Sequence, residues 1–183
     1  MKKMEEKVKI LSKEDIRRVL YRLTHQILEK NPSPHQLAII GIQTRGVYLA
    51  QRIRRIIKEI EGIEVPLGIL DITLYRDDLT VIGQAPLVKE TKIDFDVKDK
   101  VIILVDDVLF TGRTVRAALD EIMDFGRPKR IELLILIDRG HRELPIRADF
   151  VGREISTSEG ELVEVRLKEI DNKEEVVVLE KKK

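Results

Sequence analysis

Residues 101–119, VIILVDDVLFTGRTVRAAL, decide how this chain folds. Val101 to Val105 are apolar or β-branched and read as a buried strand. Asp106 and Asp107 follow, then Thr111-Gly112-Arg113-Thr114, then a helical pattern from about Thr114 to Phe125. A buried strand thus delivers two carboxylates and a small, hydroxyl-rich loop that opens a helix. The backbone N–H groups of such a loop can bind a phosphate, and the acids can hold sugar hydroxyls. Two adjacent acids alone would fit a solvated strand end equally well, and as strand neighbours they should point to opposite faces. Thr111, Gly112 and Thr114 shift the reading toward a ribose-phosphate site. A Walker A loop is excluded, because no Gly-Lys-Ser/Thr is present.

The pattern extends outward on both sides. Ser12 and Asp15 form a capping-box signature before Ile16, Val19, Leu20, Leu23, Ile27 and Leu28, which recur at helical spacing. Asn31-Pro32-Ser33-Pro34 ends that helix. Leu37 to Ile42 reads as a strand, Gln43-Thr44-Arg45-Gly46 as a turn, and Val47 to Ile60 as a helix stopped by Gly62. Val65 to Tyr75 reads as a further strand. Residues 76–96 form a long polar connection of the kind that serves as a lid or extended hairpin. Ile131 to Ile137 is another strand, with short late strands at Phe150-Val151, Leu162 to Leu167 and Val176 to Leu179. Alternating strands and helices predict an α/β fold built on a mainly parallel, twisted sheet. Ligands of such sheets sit beyond the C-terminal strand ends. Thr44 to Gly46, Asp106 to Thr114 and Asp138 to Arg142 each follow a strand and should therefore face one crevice.

Composition narrows the classes. The 183 residues suit one α/β domain, and no repeat or boundary divides positions 1–183. Cysteine is absent, which excludes disulfides, thiolate metal sites and a cysteine nucleophile. His25, His35 and His141 lack metal-ligand spacing, so no protein-built metal site is expected. MKKMEEKVKI has no signal-peptide core, and no run approaches a membrane span, so a soluble cytoplasmic protein without a membrane partner is expected. Charged residues make up 37% of the chain, yet the net charge is +1; this excludes a wholly basic nucleic-acid binder but permits a local basic face.

VIILVDDVLFTGRT resembles the phosphoribosyl-diphosphate signature of type I phosphoribosyltransferases. With IGIQTRGVYLAQRI, DITLYRDDL and DRGHRELPIRADFVGREISTS, nearly the whole chain is similar to the bacterial pyrimidine-operon attenuators, which are also uracil phosphoribosyltransferases. The resemblance implies the type I phosphoribosyltransferase fold, with a mobile lid over about residues 71–96 and a small hood made by the N-terminal and late segments. It implies that Asp106 and Asp107 hold the ribose hydroxyls. Val108, Leu109, Phe110, Thr111, Gly112, Arg113 and Thr114 would form the 5′-phosphate loop. Thr44, Arg45 and Gly46 would be the diphosphate loop, with Arg45 as charge clamp, so that Asp106, Asp107 and Arg45 carry catalysis. Arg76 and Lys89 of the lid would reach the diphosphate, and Asp138 and Arg139 would open the uracil pocket. Mg²⁺ would be held mainly by substrate oxygens. The implied partners are phosphoribosyl diphosphate, uracil, UMP and UTP, a leader-mRNA stem-loop, and further copies of the chain in a homodimer or higher homo-oligomer. Phe110 stands where the family pattern has Tyr, and Ser156 and Asp94 stand where it has Pro; none removes a core role.

On the first helix Arg17, Arg18, Tyr21, Arg22 and His25 lie opposite the apolar stripe. For an arbitrary protein that is an ordinary solvated helix face. The resemblance favours an RNA surface made by Arg18, Arg22, His25, Thr44, His141 and Arg147, because Arg supplies both stacking and phosphate contacts. Ligand contact, RNA contact and structural hydrogen bonding all stay open for His141. The competing readings are a purely catalytic salvage enzyme and a UMP-binding regulator without useful catalysis. Intact Arg45, Asp106 and Asp107 weigh against the second.

Overall fold

The computed structural model describes residues 4–72 and 90–182. The elements run β1 (Met4–Leu11), α1 (Lys13–Lys30), a 3-10 turn (Pro34–Gln36), β2 (Leu37–Ile42), α2 (Arg45–Glu61), β3 (Leu67–Leu70) and β4 (Val101–Leu109). They continue with α3 (Arg113–Asp124), β5 (Arg130–Asp138), β6 (Phe150–Glu154), β7 (Leu162–Arg166), α4 (Lys168–Asp171) and β8 (Glu175–Lys181).

β3, β2, β4, β5 and β6 form a five-stranded sheet in that order, and every pairing is parallel. Its centre, β2 and β4, is apolar on both faces, as expected for strands covered on both sides. Val101, Ile103 and Val105 pack on the cluster that contains α1 and α2; Ile102 and Leu104 pack on the cluster that contains α3. The helices follow the same logic. Ile16, Leu20, Leu23 and Ile27 of α1 are at most 2% exposed, and each contributes about 1.5–3 kcal/mol by leaving water. Ser12 caps α1 in the predicted reciprocal box with Asp15, and Gly62 ends α2 at a left-handed φ of 69°.

β1, β8 and β7 form a second, antiparallel sheet, the hood built from the N-terminal and late segments. β1 is absent from the sequence reading because Met4–Leu11 is charged and mostly exposed, so its pattern has no apolar face to reveal it. Three differences sharpen the expected elements. The strand expected over Val65 to Tyr75 forms only at Leu67–Leu70, and residues 73–75 lie outside the described chain. The strand expected to stop at Val105 continues to Leu109, so both acids stand within it. Tyr21 is half-buried against the core, with its hydroxyl donating to Glu59, and does not belong to an open helix face. Arg76, Lys89 and most of the expected lid fall outside the described residues. At its far end Lys92 exchanges two backbone hydrogen bonds of 2.8 Å with Ile69. Among the described residues no helix is long and apolar enough to cross a membrane.

Candidate active site

Three segments meet beyond the C-terminal ends of β2, β4 and β5, which are neighbours in the sheet. The first is the turn from β2 into α2. Its backbone passes so close to the sheet that a Cβ on Gly41 would lie 2.7 Å from the Gly46 carbonyl oxygen. A Cβ on Gly46 would run into the Val105 carbonyl. Only glycine permits that approach. The Gln43–Thr44 peptide is cis. Arg45 begins α2, and its Nη2 donates to Asp171 Oδ1 at 2.8 Å. Among the described residues its Nε is buried without a hydrogen-bond partner.

The second segment is the end of β4. Asp106 is 6% exposed, and its Oδ1 accepts from the Asp107 amide at 2.9 Å. Asp107 Oδ1 accepts from the Val108 amide at 3.0 Å. Burial pushes the Asp107 carboxyl above the ordinary carboxylate range, opposed by its hydrogen bond with Asp106 and by the charge of Arg45. That electrostatic contact links the first segment to the second. The loop then turns through Gly112, whose φ of 94° needs glycine, into α3. Thr111 Oγ1 accepts from the Arg113 amide at 3.3 Å, and Gly112 has no side chain to cap the amides that follow. Thr111 and Thr114 flank the loop, both partly exposed.

The third segment, residues 138–147, is fastened to the second. Asp138 pairs with Arg142 and accepts from the Gly140 amide at 2.9 Å. Arg142 Nη1 donates to the carbonyls of Phe110 at 2.7 Å and Gly140 at 3.0 Å, and Nε donates to that of Ile146 at 3.1 Å. Thr111 O accepts from the amides of Glu143 and Leu144. The bond from Arg142 to the Phe110 carbonyl spans 32 residues, which no local pattern reveals. Arg139 is 4% exposed; its guanidinium lies 4.2 Å from the Phe110 ring centre and donates to Thr157 Oγ1. Phe110 thus presents its ring face to the Arg139 guanidinium. Asp138, Gly140, Arg142, Ile146, Arg147, Glu154, Ile155 and Ser156 line a cavity of about 610 Å³.

The basic residues divide into groups. Arg18 and His25 are exposed on α1, and Arg18 pairs with Asp15 at 2.6 Å. Arg22 Nη2 donates to the carbonyls of Val151 and Gly152, tying α1 to β6. Exposed Arg147 shares a second cavity, of about 520 Å³, with Gln26, Glu29 and Lys30 of α1. His141 donates from Nε2 to the Thr157 carbonyl at 2.6 Å and is otherwise exposed. Thr44 stands apart, at the start of α2.

The model of the family described as phosphoribosyl transferase domain matches residues 8–170. A protein of Pelotomaculum thermopropionicum named Bifunctional protein PyrR is 59% identical over 175 residues, covering 96% of this chain and 97% of that one. The protein of the same name from Thermus aquaticus is 57% identical over 178 residues, covering 97% and 98%. Among solved structures, a hypoxanthine phosphoribosyl transferase of Trypanosoma cruzi matches with a TM-score of 0.73 at 17% identity, covering 95% of this chain and 91% of that one. A hypoxanthine-guanine phosphoribosyltransferase of Bacillus anthracis matches with a TM-score of 0.70 at 21% identity, covering 94% and 98%. At such identities these two bear on the fold alone.

Proposed function

The chain belongs to the phosphoribosyl transferase family and, within it, to the PyrR proteins, and on that premise we propose that it is a uridine-nucleotide-responsive regulator of pyrimidine genes that also makes UMP from uracil and phosphoribosyl diphosphate. The observation that carries the catalytic half is the meeting of the Arg45 turn, the Asp106–Asp107 pair and the α3 N-terminus at adjacent strand ends. In this reading Asp106 and Asp107 hold the ribose hydroxyls. Residues 108–114 hold the 5′-phosphate, Thr44 to Gly46 hold the diphosphate, and the cavity beside Asp138 and Arg139 takes the base.

The chemistry needs no protein nucleophile. The uracil nitrogen attacks the anomeric carbon, the bond to diphosphate breaks, and the electron pair leaves with the diphosphate. Positioning and charge do the work, with Arg45 facing the leaving group. Mg²⁺ fits the hard oxygen donors of the Asp106–Asp107 pair together with those of the substrate. Substrate oxygens would supply most of its ligands, because Mg²⁺ commonly keeps water and substrate oxygens around it. When bound, it would neutralise charge developing on the diphosphate.

The regulatory half places leader mRNA on α1 and the 139–147 loop, through Arg18, Arg22, His25, His141 and Arg147, with Thr44 at the rim. A cytoplasmic homodimer or larger homo-oligomer belongs to the same reading. Titration of leader RNA with and without UMP tests it. Binding should tighten with UMP, weaken with salt by counterion release, and weaken in Arg147→Ala. RNA binding indifferent to UMP and to Arg147→Ala would leave a salvage enzyme. Turnover of hypoxanthine in place of uracil would overturn the base assignment.

A further inference from the structure

We propose that Asp171, on α4 in the hood, is a positioning residue for Arg45. It would hold the guanidinium in place for the diphosphate of the donor; the proposal rests on the phosphoribosyl-transfer reading above. Asp171 is fixed by its own turn. Its Oδ2 accepts from the Leu167 amide at 2.8 Å, and Leu167 is fully buried. Its other oxygen is thereby presented to Arg45 Nη2 at 2.8 Å. The pair is partly buried, with side chains 29% and 20% exposed, so solvent screens it less than a surface pair.

The contact leaves Arg45 with capacity for a ligand. A guanidinium carries five N–H donors in a fixed plane, and among the described residues Nε of Arg45 is buried with no partner. A buried, unmatched donor carries a desolvation cost that a bound anion would relieve. Arg45 also stands near enough to Asp107 to pull its carboxyl pKa down. Without Asp171 the guanidinium would be free to swing and would have to be ordered at the moment of binding.

A simple tether would predict otherwise, because the hood segment has a second anchor. Arg52, seven residues further along α2, bonds Glu169 Oε2 at 2.7 Å and Glu174 Oε2 at 3.1 Å. Loss of Asp171 should therefore leave the segment docked, releasing Arg45 and the Leu167 amide while the Arg52 anchor holds. Asp171→Ala, Asp171→Asn and Glu169→Gln separate the two ideas. The readouts are KM for phosphoribosyl diphosphate, kcat at saturating uracil, UMP affinity by calorimetry, and Tm.

Asp171→Ala should raise the donor KM roughly tenfold, with a smaller change in kcat and unchanged UMP affinity, because UMP carries no diphosphate. Asp171→Asn, which keeps one oxygen acceptor where Arg45 and the Leu167 amide use two, should recover only part of the loss, and Glu169→Gln should be silent. An unchanged donor KM in Asp171→Ala, a matching rise in Glu169→Gln, or a parallel fall in UMP affinity would each overturn the proposal. A parent protein that neither turns over any base nor binds inorganic diphosphate would overturn the phosphoribosyl-transfer reading itself.

Discussion

Burial raises the Asp107 carboxyl above the ordinary carboxylate range, against the pull of Asp106 and Arg45. The folded protein therefore holds that proton more tightly than the unfolded chain does. Stability falls as pH rises from the ordinary carboxylate range through the raised value, and the penalty is complete only above it. Asp107→Asn should consequently raise Tm more in alkali than in acid, while turnover drops by about 10²-fold or more. Calorimetry and steady-state kinetics across pH check both halves. In the unsubstituted protein, kcat/KM should fall off in acid at a higher pH than an ordinary carboxylate would produce. The same scale explains which roles were legible. Asp106, Asp107, Arg45 and Gly46 lie in short contiguous motifs whose chemistry is local. Arg142 and Asp171 act on carbonyls and a guanidinium far away in sequence, so nothing beside them in the chain declares the role.

Among the elements, α1 shows local and tertiary control side by side. Its start is written in sequence, because Ser12 and Asp15 satisfy each other's backbone within one turn. Its end depends on β5. Asn31 Nδ2 donates to Ile27 O at 3.0 Å and to Glu132 Oε2 at 2.9 Å. Glu132 is 2% exposed and also accepts from Arg130 and faces Lys30. Desolvation alone would raise its pKa; the hydrogen bonds from Asn31, Arg130 and Lys30 outweigh it and hold the carboxyl below its ordinary value. This stabilisation is complete above the ordinary carboxylate pKa and is lost as pH falls through the lowered one. Glu132→Ala leaves its partners unmatched and should cost about 3 kcal/mol at pH 7 by urea unfolding. The deficit should shrink in acid. A variant as stable as the parent would show that the junction contributes nothing. β1 is the opposite case: its charged residues have no strand signature until β8 supplies a ladder.

For the whole molecule, the hood is held by charge as well as by its buried valines. Arg166 bonds Glu164 at 2.6 Å, Glu175 at 2.8 Å and Glu6 at 3.2 Å, and Lys9 joins Glu175 at 2.7 Å, spanning β7, β8 and β1. Arg166 and Glu175 are mostly buried, so this network differs from isolated surface pairs. Arg166→Met should lower Tm by about 3–6 °C, read by calorimetry. An unchanged Tm would refute a stabilising role. Sequence by itself determined the alternating strands and helices, the capped start of α1, and the two loops that carry the carboxylates and the phosphate-binding backbone. Each depends on periodicity or on groups a few residues apart. Tertiary structure decided the pairing of β1, the fastening of the phosphate loop by Arg142, the basic residues that α1 spends on β6, and the hold of Asp171 on Arg45. Those contacts join positions tens of residues or more apart, and only the closed sheet and docked hood bring them within hydrogen-bonding distance.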